Sequence, residues 1–282
     1  KIGEYQIISR LLEGNFLNYK SAIPMSCETK IVVDERGRAV DVYKYTPGIS
    51  NKIIEEFMLI ANKTVAEEFF WADIPFVYRI HEKPSPEKIT AFNDFARNMG
   101  YKLPENREPH PGEFAKILKS IKGTREELII SKVMLRSLMK AKYSPENVGH
   151  FGLASKCYCH FTSPIRRYPD LCIHRIIKLV LNGGYPEAVE RFGEFVQDAA
   201  KQSSDRERRA TDAEREVDDL YMTMYMSEHI GEEYDAVISG ETEWGMYAEI
   251  NDNKCEGMIP MRTLQDDYYE FDDANYCIIG RR

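Results

Sequence analysis

Residues 157–175, CYCHFTSPIRRYPDLCIHR, gather the hydroxyls of Thr162 and Ser163, the adjacent Arg166 and Arg167, and His160 and His174 around Pro164 and Pro169. A solvated loop has no use for so many directed polar groups, and a buried strand could not satisfy them. Pro169 has no backbone N–H to donate and disfavours helix in Tyr168, so Ser163 to Tyr168 reads as a tight turn. A helix then starts at Pro169 and stops at Asn182, Gly183 and Gly184. Arg166 and Arg167 therefore stand where the first N–H groups of a helix point outward and the macrodipole favours negative charge. A phosphate suits that position.

Upstream, apolar residues recur at helical spacing over 2–19, and KIVVDERGRAVDVYKY (30–45) alternates about Asp34 to Arg38 as a hairpin does. Ile53, Phe57, Ile60, Ala61, Thr64 and Val65 form one apolar helix face, with Glu55, Glu56 and Asn62 on or beside its rim. Ser85-Pro86 opens a helix that Gly100 closes, and Pro111 opens another that stops near Gly123. Thr124 with Glu127 reads as a capping box for a helix through about Lys142, and 143–161 reads as loop and strand.

Downstream, 187–231 reads as almost continuously helical, with Ser204 and Glu207 able to restart it by a second capping box. Past Gly231, EEYDAVISG, ETEWGMYAEI and CEGMIPM are short alternating strands broken by glycine, the texture of an all-β module. The expected class is α+β, with one unit over 1–231 and a β-module over 232–282 that is too short to hold all its strands.

Composition bounds the rest. With 282 residues, 43% hydrophobic and 30% charged, the chain can bury more than one core. No apolar run approaches the roughly twenty residues that cross a bilayer, and the amino end lacks a signal-peptide layout. An intracellular, cytoplasmic setting is expected, and the cysteines at 27, 157, 159, 172, 255 and 277 suit reduced thiols. Zinc is disfavoured, because one residue between Cys157 and Cys159 is short for a metal knuckle and no second pair follows. A net charge of -8 opposes indiscriminate polyanion binding and leaves room for a local basic channel. The text starts in mid-pattern at Lys1, so a fragment of something longer is expected.

HFTSPIRRYPDL resembles the signature of the RNB family, the hydrolytic 3′-to-5′ exoribonucleases of the ribonuclease II and ribonuclease R type. The resemblance spans the chain: IEEFMLIAN (54–62), the stretch 150–175, RERRATDAERE (206–216) and EEYDAVISGETEWGMY (232–247), the last nearer the ribonuclease R branch. It implies that 1–231 is the carboxy-terminal part of a catalytic domain and that 232–282 begins an OB-fold RNA-binding module. The implied activity is Mg²⁺-dependent release of nucleoside 5′-monophosphates from single-stranded RNA by a monomer, with neither DNA nor membrane as partner. An inactive RNA-binding module is the alternative. The aspartates that hold Mg²⁺ in the family are expected upstream of this chain, so no metal ligand is assigned here and the fragment alone should not cleave.

Within that resemblance Arg166 contacts the scissile phosphate, Glu214 organises the active site and Glu55 contacts the terminal nucleotide. Asn62, Ser163, Arg167 and Tyr168 are expected to bind substrate, and Trp244 and Tyr247 to stack bases on the β-module. Met258-Ile259-Pro260 stands where the family often has a basic or imidazole residue. His160 and His174 read as hydrogen-bonding scaffold, since metal-dependent cleavage can activate water without a histidine. Arg206, Arg208, Arg209 and Arg215 either orient carboxylates or meet RNA phosphate. Asp266-Asp267 and Asp272-Asp273 read as solvated loop charges.

Overall fold

Asp34 starts the first described element by turning it. Its Oδ1 accepts the N–H groups of Arg36 and Arg38, each at 2.9 Å, and Gly37 takes the positive φ of 74° that closes the turn. Strands β1 (Glu28–Val33) and β2 (Ala39–Tyr45) follow on either side as an antiparallel hairpin. The computed structural model describes residues 28–104, 108–272 and 277–281; the helix expected over 2–19, Cys27 and Asp273 lie outside them.

Helix α1 (Ile49–Trp71) buries Asn62, Ala66 and Phe69, a line of successive turns on one side. That line differs from the expected apolar face: Phe57 is 49% exposed and Thr64 is also exposed, and the residues the helix buries lie in its second half. Strands β3 (Tyr78–Ile80) and β4 (Lys142–Ser144) pair antiparallel, drawing together segments some sixty residues apart. Between them lie α2 (Pro86–Asn98), α3 (Pro111–Ile121) and α4 (Glu127–Ser137). Ser85 caps α2 through its Oγ, which accepts the Lys88 N–H, and Gly100 ends it at φ 84°.

The box expected from Thr124 and Glu127 does not form. Thr124 Oγ1 donates back to the Ile121 carbonyl at 2.8 Å, and the Glu127 carboxylate accepts the Gly123 N–H at 2.6 Å, so both side chains tie α4 to the end of α3. The helix stops at Ser137 rather than Lys142, since 142–144 are needed to pair with β3.

Helix α5 (Tyr168–Leu181) begins one residue before the expected Pro169, behind Arg167, whose extended backbone ends the turn. The run expected to be continuous then splits into α6 (Tyr185–Phe192) and α7 (Phe195–Ser227). Ser204 and Glu207 lie inside α7, where they make tertiary contacts instead of a cap. Ser204 Oγ donates to the Ala200 carbonyl and accepts the Tyr143 N–H, both at 2.9 Å, which fastens α7 to β4.

Two apolar cores result. One joins α1, β3, β4 and the helices α5 to α7 through Ala66, Phe69, Phe76, Ile173, Ile176 and Val196. The other joins α2, α3 and α4 through Phe92, Phe114, Ile130 and Met134, with Phe151 closing it.

Past α7 come β5 (Ala236–Thr242), β6 (Gly245–Ile250) and β7 (Glu256–Pro260), a three-stranded antiparallel meander in that order. Strands β8 (Tyr269–Asp272) and β9 (Cys277–Gly280) form a separate hairpin. Gly245, at φ 156°, starts β6 so close to β7 that a Cβ there would lie 2.2 Å from the Ile259 carbonyl oxygen. The architecture is mixed α+β. No helix among the described residues is long and apolar enough to cross a membrane.

Candidate active site

The turn over 161–167 is held from behind at both ends. Asn62, buried on α1, uses its whole amide on it: Oδ1 accepts the N–H groups of Phe161 at 2.9 Å and Thr162 at 3.2 Å, and Nδ2 donates to the Tyr158 hydroxyl at 3.1 Å. Asp170, in the first turn of α5 and 0% exposed, holds the other end. Its Oδ1 accepts the Ser163 N–H at 2.7 Å and the Arg167 guanidinium at 2.8 Å through Nη2 and 3.2 Å through Nε. The Ser163 carbonyl in turn accepts the N–H groups of Arg166 at 3.3 Å and Arg167 at 3.1 Å.

These contacts send the two neighbouring arginines opposite ways. Arg167 folds inward onto a carboxylate, while the exposed Arg166 makes no ion pair with any described residue. Ile165 beside it is fully exposed and Tyr168 is about half exposed. The turn thus presents an exposed cation, with an exposed aliphatic and an exposed aromatic residue within two positions of it in sequence, a combination suited to a phosphate and the sugar or base attached to it.

Beneath the turn lies a polar layer. Arg79 on β3 meets Glu207 on α7 at 2.6 Å and lies over the Tyr143 ring at 4.6 Å. The Tyr143 hydroxyl is 2.9 Å from His160 Nδ1, and burial pushes that hydroxyl up to about 12. Burial, reinforced by the charges of Arg167 and Arg79, pushes His160 down to about 2. His150 is pushed down to about 3 by burial and by His81.

His81 is also lowered by burial; its Nε2 lies 2.5 Å from the Met139 carbonyl and its Nδ1 accepts the Gly152 N–H at 2.7 Å, which fixes the neutral tautomer with the proton on Nε2. These rings are neutral near pH 7 and serve as scaffold. His174 braces the turn, stacking on Phe161 at 4.4 Å with its Nε2 3.0 Å from the Phe161 carbonyl. Cys157, Cys159 and Cys172 are buried free thiols whose pKa burial raises, so they stay protonated.

Glu55 and Glu214 are exposed, on α1 and α7. Each stands seven residues, two helical turns or about 10 Å, from a residue that reaches the polar layer: Glu55 before Asn62, Glu214 after Glu207. Glu55 therefore shares a helix face with an anchor of the turn, and Glu214 shares one with Glu207, which pairs with Arg79 in the polar layer. Glu56 beside Glu55 is raised, by burial first and by Glu55 second. Arg208 approaches Asp205 at 3.5 Å on the exposed surface of α7.

Trp244, 70% exposed, forms the tip of the β5–β6 turn, and Tyr247 lies half-buried on β6 opposite Met258. Asp266 and Asp267 bond within their own loop, to the Tyr269 hydroxyl at 2.9 Å and the Tyr268 N–H at 2.6 Å. Among the described residues no three His, Cys, Asp or Glu side chains converge to hold a metal ion.

Asp170, Arg79, Tyr143 and Ile165 carry much of this geometry and were not singled out from sequence. Arg167 and Asp170 are spaced i,i+3, a local signal that could have been read. Arg79 and Tyr143 come from distant segments and have none.

Residues 9–183 match the RNB domain, and the chain belongs to that family. It is 42% identical over 260 residues to ribonuclease R of Thermotoga maritima, covering 91% of this chain and 36% of that protein. It is also 42% identical to ribonuclease R 1 of Lactococcus lactis, over 90% of this chain and 31% of that protein. The chain thus spans about a third of the length of these relatives.

Among solved structures it superposes on Mycoplasma genitalium RNase R in complex with ribose-methylated single-stranded RNA with a TM-score of 0.85 and 28% identity, covering 93% of this chain and 42% of that one. The same protein in complex with double-stranded RNA gives a TM-score of 0.78 at 27% identity, over 92% of this chain and 46% of that one.

Proposed function

We propose that this chain supplies the phosphate grip of a hydrolytic 3′-to-5′ exoribonuclease that removes nucleoside 5′-monophosphates from single-stranded RNA. The observation that carries the reading is the contrast between Arg166 and Arg167. A guanidinium that is exposed and unpaired among the described residues, on a turn fixed through Asn62 and Asp170, is ready for an anion from outside. As water attacks, negative charge grows on the phosphoryl oxygens; a fixed cation stabilises that state more than the ground state and costs no reorganisation. Glu214, on the helix face that holds Arg79, and Glu55, on the face that carries Asn62, fix the site and the terminal ribose. Ser163 and Tyr168 border the same nucleotide.

The described residues do not make the metal centre that the family resemblance implies. Mg²⁺, which would activate water and steady the leaving oxygen, belongs to residues outside them. Residues 232–282 serve as an OB-type RNA-binding module, with Trp244 and Tyr247 offering faces for bases. Residues 1–231 complete the catalytic domain of a monomeric cytoplasmic enzyme.

The test follows a 3′-labelled oligo-adenylate through hydrolysis by the full-length protein, with and without Mg²⁺, for wild type and Arg166→Ala. Mononucleotide release that needs Mg²⁺ and falls by at least about a hundredfold in the variant supports the reading. Undiminished release removes Arg166 from the mechanism. RNA binding without any release leaves an RNA-binding module as the function.

A further inference from the structure

Arg166 can act as described only if its turn is already in place when RNA arrives, and the residue best placed to ensure this is Asp170. Its Oδ1 takes the Ser163 N–H, and the Ser163 carbonyl takes the Arg166 N–H, so one chain of hydrogen bonds runs from the buried carboxylate through Ser163 to the backbone of Arg166. The same oxygen draws Arg167 inward, which removes the competing guanidinium from the outer face.

Two simpler roles leave observations unexplained. Asp170 is an acidic residue in the first turn of α5, where a carboxylate complements the helix dipole, yet a solvated one would do that equally well. This carboxylate is fully buried, and its Oδ2 has no hydrogen-bond partner among the described residues. As an ion pair with Arg167 it adds little net stability, because taking both charges out of water offsets their attraction. A buried ion pair that adds little to stability but fixes one conformation is the better account of both facts.

We infer that Asp170 is a positioning residue for phosphodiester hydrolysis, holding the turn so that Arg166 is aimed before substrate binds. This rests on the nuclease reading above.

The experiment is a double-mutant cycle in the full-length protein, with Asp170→Asn and Arg166→Ala made separately and together. Each is measured for single-turnover cleavage of an oligo-adenylate with Mg²⁺, for RNA Kd without metal, and for Tm. Asparagine has the same shape but no charge, so it weakens the bond from the Ser163 N–H and loses the charge that holds Arg167.

Asp170→Asn is expected to slow cleavage by about ten- to a hundredfold, the scale of a small misplacement, while Kd moves by less than about threefold. In the Arg166→Ala background the same change should cost almost nothing more, since a positioning residue acts only through what it positions. An equal loss in both backgrounds, or a rate within about twofold of wild type, overturns the inference. Should Asp170→Asn fail to fold, Arg167→Lys, which keeps the charge and loses the two-pronged fork, enters the same cycle with the same expectations. A wild-type protein that cleaves nothing overturns the nuclease reading itself. That result is distinct from a wild type that cleaves while its Asp170 variant cleaves as fast.

Discussion

Asn62 on α1 accepts the Phe161 N–H at 2.9 Å across 99 residues of sequence, and with the same oxygen the Thr162 N–H at 3.2 Å. An amide is well suited here because its other half donates to the Tyr158 hydroxyl. Asn62→Ala leaves two backbone donors and a hydroxyl without their partner in a buried setting. The expected loss is about 3 kcal/mol of stability, the lower end for three groups at roughly 1–3 kcal/mol each, because the Phe161 and Thr162 donors are only partly buried. A denaturant titration measures it, and faster amide exchange at Phe161 and Thr162 localises it. A loss below about 1 kcal/mol would mean that water replaces the amide and the turn is not held from α1.

Arg79 and Glu207 form a partly buried pair that joins β3 to α7. Glu207→Gln keeps a hydrogen-bonding oxygen but strands a largely buried guanidinium over Tyr143, so a loss of about 1–3 kcal/mol is expected, between the exposed and the fully buried cases. Arg79→Met with Glu207→Leu removes both charges and should recover most of it. If the double variant is no better than Glu207→Gln, the pair is not isolated from the His160 layer and the two contributions are coupled.

Acid should unfold the protein through its neutral histidines. His160 is pushed down to about 2 and His150 to about 3, against about 6.5 in an unfolded chain. The unfolded state therefore binds more protons below pH 6.5, and stability present above that pH is lost as pH falls towards 3. The slope contributed by each ring is on the order of 1 kcal/mol per pH unit at most. Urea midpoints should be level between pH 7 and 8 and decline steadily from pH 6 to pH 4, with a shallower decline in His160→Gln. Equal midpoints at pH 7 and pH 5 would show that both rings charge without hindrance in the folded protein.

What the sequence disclosed and what it withheld divide along physical lines. Pro169, Ser85-Pro86 and Pro111 placed helices to within a residue, because proline and cap chemistry act locally. Arg166 was legible for the same reason, as a cation at the start of a helix. Ser204 and Glu207 misled because their spacing spells a capping box, whereas their partners are Tyr143 and Arg79, more than sixty residues away. The face of α1 was misread because an asparagine, Asn62, occupies its most buried line; periodicity counts apolar residues and overlooks a polar side chain whose partners arrive from a distant loop.

Trp244 separates binding from folding. Its side chain is exposed at a turn tip, so Trp244→Ala should leave stability within about 0.5 kcal/mol of wild type. Loss of one stacking platform should nevertheless weaken single-stranded RNA binding by about 1–3 kcal/mol, roughly five- to a hundredfold in Kd. Filter binding at two salt concentrations checks it, since stacking loss shifts affinity at both salts and leaves the salt slope unchanged. An unaltered Kd would remove the turn tip from the RNA path.

Lys132 on α4 joins the helical part to the β-module, with its ammonium 2.5 Å from Glu256 on β7 and 3.3 Å from Glu249 on β6. Burial pushes the Glu256 carboxyl up, but hydrogen bonds from Lys132 and Ser239 outweigh it and hold the group below the usual glutamate range. Lys254 also meets Glu249, at 2.7 Å, so Lys132→Met leaves Glu256 with the Ser239 hydroxyl and Glu249 with one lysine. The β-module should then dock more loosely: cleavage between α7 and β5, at 228–235, should become faster under limited proteolysis, while Tm for the helical cores changes by only a few degrees. Wild type should move in the same direction as salt is raised, because these charges are only partly screened from solvent. If proteolysis at 228–235 is equally slow in the variant and insensitive to salt, apolar packing rather than this lysine fixes the module, and the orientation of Trp244 relative to Arg166 does not depend on it.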